Sequence, residues 1–85
     1  MKEIRRLLNI MDDLRTKCPW DKKQTTQSLK NLTIEEVYEL TEAVETGNFE
    51  NLKEELGDLL LHIVFYSKIA SEKKKFNFID VVNDL

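Results

Sequence analysis

The pair Gly47-Asn48 sets a helix stop directly against a helix start. Gly47 suits the left-handed position that closes a helix, and Asn48 suits the N-cap that opens the next one. Apolar residues on both sides repeat with helical period, so one helix is predicted to end near Thr46 and another to run from about 49 to 71. A link of two or three residues forces those helices into an antiparallel hairpin. The first of them is predicted to begin at Thr33, because Thr33-Ile34-Glu35-Glu36 reads as a capping box with Thr33 at the N-cap and Glu36 three positions on.

Upstream, Ile4, Leu7, Leu8, Met11 and Leu14 form an amphipathic stripe over about residues 2–16 that needs another helix to cover it. Pro19 restricts Cys18 to extended geometry and ends that helix. The polar stretch 21–31 reads as a loop with a short helical portion, anchored by Leu29. Downstream, Lys73-Lys74-Lys75 is a solvated connector, and Asn77 with Asp80 signals a fourth helix. The sequence stops at Leu85 after barely two turns of it, which is compatible with a C-terminal truncation of a longer domain. The fold class is therefore all-α: a single helical domain over 1–85, built on an antiparallel hairpin with an N-terminal helix.

Only 2 glycines and 1 proline in 85 residues agree with that class, and 41% hydrophobic residues give a small core. One cysteine, Cys18, excludes an intramolecular disulfide and a thiolate metal site, and favours a reducing, cytoplasmic setting. No segment has the length and hydrophobicity to span a bilayer, since the apolar run around Leu59 to Tyr66 is short and contains His62.

Charge is unevenly placed. Residues 35–58 carry nine acidic side chains and one basic one, Lys53, within a net charge of -3. Such a block repels nucleic-acid backbone, so direct DNA or RNA binding is not expected, whereas a cation can bridge it to a phosphate. At 100° per residue, Glu36 and Glu39 fall on one strip of the second helix beside Val37, Leu40, Thr41 and Val44. Ala43 continues the strip with a methyl group and is expected to leave space beside the carboxylates. On the third helix Glu55, Asp58 and His62 share a side, next to a main stripe of Leu52, Leu56, Leu59, Leu60 and Ile63. Leu61, Phe65 and Ile69 lie opposite that stripe, so this helix is apolar nearly all round and calls for a second covering surface. Another copy of the chain is the simplest supplier, completing a four-helix-type bundle by homodimerisation.

Two like charges about 5 Å apart at an effective dielectric of about 20 cost roughly 3 kcal/mol before screening. Four converging carboxylates, Glu36, Glu39, Glu55 and Asp58, become favourable around a hard cation, and Mg²⁺ takes such oxygens and often bridges them to substrate phosphates. Glu35 and Glu54 are near enough to assist. His62 is either a packed histidine or a neighbour of the site. Trp20, flanked by Lys17, Lys22 and Lys23, combines an aromatic plane with positive charge, a pairing that can stack a base and meet phosphates or simply cover the core. Phosphate loops, dinucleotide fingerprints and serine-histidine nucleophile patterns are absent.

These motifs occur in a recognisable order. Cys18-Pro19-Trp20-Asp21, then Gln24-Thr25 and Ser28-Leu29, then Glu35-Glu36-x-x-Glu39, then Glu54-Glu55-Leu56-Gly57-Asp58-Leu59-Leu60-Leu61 closely resembles the MazG nucleoside triphosphate pyrophosphohydrolase family over about residues 5–82. The resemblance implies an all-helical, dimerising, Mg²⁺-dependent hydrolase that converts nucleoside triphosphates to monophosphate and pyrophosphate. It also implies metal ligation by Glu36, Glu39, Glu55 and Asp58, with Glu35 or Glu39 orienting or deprotonating water. Lys17, Trp20, Asp21, Lys22 and Lys53 are the candidate substrate contacts. Family members often carry His where this sequence has Thr26 and Tyr66, and many continue into a basic, histidine-containing segment. A shortened chain, a stand-alone short homologue and a degenerate copy all fit that departure, and a catalytically weak nucleotide-binding or helical dimerisation module is the alternative reading.

Overall fold

The computed structural model describes residues 1–85 and contains five helices: α1 (Lys2–Lys17), α2 (Pro19–Lys23), α3 (Thr26–Thr46), α4 (Phe49–Glu72) and α5 (Phe78–Asn83). The all-α class is therefore met, and no helix is long and apolar enough to cross a membrane. α1 ends where expected, at an extended Cys18, and Pro19 then opens α2 from its first turn, where a missing N–H costs nothing.

α3 starts about two turns before the expected Thr33. Thr25 and Ser28 form a reciprocal capping box: Ser28 N–H donates to Thr25 Oγ1 at 3.0 Å, and Thr25 N–H donates to Ser28 Oγ at 2.8 Å. The added turns bury Leu29, which is 2% exposed, and that burial favours the earlier start. Thr33 is consequently a mid-helix residue whose hydroxyl donates back to the Leu29 carbonyl, and Glu36 has no capping duty.

The hairpin forms at the expected place. Gly47 adopts φ 68°, and the Asn48 side chain accepts from Asn51 N–H at 3.1 Å. Ala43, expected to leave space, is instead 1% exposed; its small side chain lets the helices approach closely. α5 begins at the Asn77–Asp80 capping box.

Burial concentrates at one end. Met11, Leu29, Val64, Phe65 and Ile69 form the core, with Leu7, Leu8, Tyr66 and Phe78 packed against it. The C-terminal half of α4 is thus covered by α1, the start of α3 and α5. Its expected main stripe is partly open, with Leu56 50%, Leu60 37% and Ile63 39% exposed and Leu52 and Leu59 half-buried. Two apolar faces on one helix are visible by periodicity, but which of them the chain covers itself depends on where α1 docks.

Arg15 ties this end together. Its Nη1 donates to the carbonyls of Asp21 (2.6 Å), Gln24 (3.0 Å) and Lys22 (3.3 Å), while Nε and Nη2 grip Glu72 at 2.9 and 2.5 Å. The guanidinium also lies 5.9 Å from the Phe65 ring centroid. One cation therefore caps α2, favours its dipole and anchors the last turn of α4. The hydrogen bond holds the Glu72 carboxyl below its usual range. Replacing Arg15 with Ala strands those acceptors, and the expected loss is about 2 kcal/mol, or on the order of 10 °C in Tm for a domain of this size. Thermal unfolding followed by circular dichroism measures it, and an unchanged Tm contradicts the clamp.

Candidate metal centre

The hairpin brings carboxylates from both of its helices to one place. Glu36 and Glu39 stand one turn apart on α3, Glu55 stands on α4, and one oxygen from each lies within 4.8 Å of the other two. Glu36 and Glu55 are half-buried, while Glu39 is exposed at the edge. Asp58 lies outside that close group, yet its charge still acts on Glu36.

Two oxygens at the centre, Glu36 Oε1 and Glu55 Oε2, are buried without a hydrogen-bond partner. Buried acceptors of this kind are costly, and two of them side by side repel. A shared proton offers one remedy. Burial, first, then the hydrogen bond that a protonated Glu36 gives Glu55, and the charges of Glu55, Asp58 and Glu39, push the Glu36 carboxyl up from its ordinary 4.5 to about 7. A hard cation offers the other remedy. Oxygens around one octahedral Mg²⁺ lie about 3–4 Å apart, so a group already within 4.8 Å needs only side-chain adjustment to hold one. The all-oxygen donor set fits Mg²⁺ better than a softer metal.

Other candidates are placed less centrally. Glu35 is exposed and outside the group. Lys53 reaches Glu50 at 3.2 Å, and Lys17 pairs with Asp13 at 3.8 Å, both on the surface. Trp20 is 54% exposed, Asp21 is half-buried and Lys22 is exposed. These α2 residues pack on α1 and not on α3 or α4. His62 is a hydrogen-bonded histidine, with Nδ1 2.8 Å from Thr33 Oγ1. Sequence reasoning missed Thr33 as its partner because it assigned Thr33 to a helix cap; the Thr25-x-x-Ser28 box was the available signal.

A sequence profile described as the MazG nucleotide pyrophosphohydrolase domain matches residues 24–85. The chain belongs to the MazG family. It is 45% identical over 84 residues to the nucleoside triphosphate pyrophosphohydrolase of Escherichia coli K12, covering 95% of this chain and 32% of that protein. It is 49% identical over 81 residues to the nucleoside triphosphate pyrophosphohydrolase/pyrophosphatase MazG of Thermotoga maritima, covering 93% and 32%. This MazG chain thus spans about a third of the length of these curated relatives. The crystal structure of a mazG-related protein from Thermotoga maritima superposes with a TM-score of 0.82 at 29% identity, over 94% of this chain and 70% of that one.

The raised Glu36 pKa has a definite sign. The fold favours the protonated carboxyl, so its contribution to stability is fully present below about 4.5 and is lost as pH rises through about 7. Metal-free protein is therefore expected to melt at progressively lower temperature from pH 5 to pH 8, and Glu36→Gln to flatten that slope. Saturating Mg²⁺ should remove it as well, by favouring the ionised form. A slope unaltered by both changes contradicts the assignment.

Proposed function

We propose that this MazG-family unit hydrolyses nucleoside triphosphates to nucleoside monophosphate and pyrophosphate, with Mg²⁺ held by Glu36, Glu39, Glu55 and Asp58. The observation that carries this reading is the pair of buried, partnerless oxygens on Glu36 and Glu55, which the hairpin holds together against their repulsion. The reaction class is supported by the names of the relatives from Escherichia coli and Thermotoga maritima. A cytoplasmic nucleotide pool, with Cys18 as a free thiol, suits it.

The chemistry supplied by a bound Mg²⁺ is neutralisation of phosphate charge and acidification of water. The chain's own residues do the rest. Glu36 and Glu55 form the inner wall, and the exposed Asp58, one turn beyond Glu55 on α4, would complete the ligand set by turning its side chain toward them. Glu39, exposed at the edge of the group, orients a water toward the α-phosphorus and accepts its proton; Glu35, exposed beside it on α3, is the second candidate for that task. Water oxygen bonds to the α-phosphorus as the bond to the leaving pyrophosphate breaks. Trp20, with Lys17, Asp21, Lys22 and Lys53, supplies substrate contacts in this scheme, an exposed aromatic plane for the base and cations for phosphates.

The open apolar stripe Leu56, Leu60 and Ile63, together with Val37 at 41% exposure, supports homodimerisation of the α3–α4 face into a helical bundle, with 1–85 acting as one domain. Turnover, nucleotide binding and sedimentation measured on the same preparation test the proposal together. Wild type is expected to release pyrophosphate with Mg²⁺ and to sediment at about twice its 10.0 kDa chain mass. Asp58→Ala and Glu39→Ala are each expected to slow release by about a hundredfold. Unchanged turnover in these variants sinks the metal role, and Mg²⁺-dependent nucleotide binding without any pyrophosphate favours a sensor instead.

A further inference from the structure

Thr33 carries an unusual hydrogen-bond load for a residue in the middle of a helix. Its Oγ1 lies 3.1 Å from the Leu29 carbonyl oxygen, 2.8 Å from His62 Nδ1 and 2.6 Å from Tyr66 Oη. A hydroxyl offers one proton and two lone pairs. All three contacts are satisfied together in one arrangement, in which Thr33 donates to Leu29 while Tyr66 O–H and His62 Nδ1–H donate to Thr33. Two of these links cross from α3 to α4.

Their position matters because of what surrounds them. Thr33 stands one turn before Glu36, and His62 one turn after Asp58, so the cluster is the neighbouring rung of the same hairpin. On its other side the carboxylate rung is followed by Ala43, which packs closely. Of the apolar residues beside the carboxylates, Val37, Leu56 and Leu60 are exposed and Leu40, Leu52 and Leu59 are only half-buried, so packing alone holds this part of α3 less firmly than the core end. Apolar contacts also tolerate sliding, whereas a hydroxyl with three partners fixes both axial register and helix separation. Tyr66, where the resembled family often has His, is thereby tied to α3.

We propose that Thr33 is a positioning residue for the carboxylate centre: its three-way hydrogen bond to Leu29, His62 and Tyr66 sets α3 against α4, keeping Glu36 and Glu55 at cation-binding distance. The proposal rests on the metal-centre reading above, and the groups it invokes belong to this chain alone.

The test is calorimetric titration of nucleotide-free protein with Mg²⁺, with helical content checked by circular dichroism. Thr33→Val keeps the branched shape and removes the hydroxyl, while Thr33→Ser keeps the hydroxyl. Mg²⁺ affinity is expected to fall by about tenfold in Thr33→Val and to stay within about twofold of wild type in Thr33→Ser, the scale seen when a group supporting metal ligands is removed. Tyr66→Phe deletes one donor, is expected to weaken Mg²⁺ binding by about threefold, and carries the test should Thr33→Val not fold. A lowered Tm with unchanged Mg²⁺ affinity in either folded variant overturns the proposal and leaves Thr33 a structural link. Wild type that binds no Mg²⁺ overturns the metal-centre reading itself, a result distinct from unchanged binding in the variants.

Discussion

The approach of Glu36 to Glu55 is the contact on which the functional part of this structure turns. Two buried carboxylate oxygens without partners are an unfavourable arrangement in a metal-free fold, and their repulsion works to part α3 from α4. The hairpin resists through the left-handed Gly47 turn, the close packing at Ala43 and the hydrogen bonds around Thr33. Proton uptake at Glu36 relieves part of the strain near neutral pH, and a divalent ion relieves it without neutralising the ligands. The same charges that weaken the metal-free fold are what make the centre attractive to a cation.

The core and the candidate metal centre occupy opposite ends of α4. Its C-terminal half carries Val64, Phe65 and Ile69 into the core, against Met11 and Leu29, with Arg15 binding α1, α2 and the last turn of α4 together. Its N-terminal half carries Glu55 and Asp58 on one side and an exposed leucine stripe on another. A chain with 8 buried residues in 85 keeps little apolar packing in reserve for its site end. Polar links there add to the packing of Ala43 and the half-buried Leu40 and Leu59, and an apolar stripe left open is a surface another helix pair can cover.

Much of this was legible in the sequence because it is local. The stripe of α1, the stop at Pro19, the Gly47-Asn48 turn and the Asn77–Asp80 box all depend on residues within a turn or two of each other, and each lies where expected. The E-x-x-E and E-x-x-D spacings place carboxylates on helix faces, and a tight turn makes those faces meet; three of the four expected ligands form the close group. What was missed is long-range or competitive. Thr33 with Glu36 and Thr25 with Ser28 are both plausible caps, and burial of Leu29, one turn before Thr33, decides between them. The covered face of α4 depends on docking of α1, and the grip of Arg15 on three carbonyls depends on how the α2 turn folds back. No spacing rule contains those facts. Asp58 lies at the right helical angle but outside the group, since angular bookkeeping fixes a direction and not the reach of a shorter side chain.

The most direct test of the central claim is to see the ion. Mn²⁺ accepts the same oxygen-rich geometry as Mg²⁺ and scatters anomalously, so crystals grown with Mn²⁺ report its place without reference to activity. The expected result is an anomalous peak between Glu36, Glu39 and Glu55, about 2.1–2.2 Å from their oxygens. A fully occupied Mn²⁺ elsewhere, or none at saturating concentration while the three carboxylates remain together, would contradict the assignment of this hairpin as a metal centre.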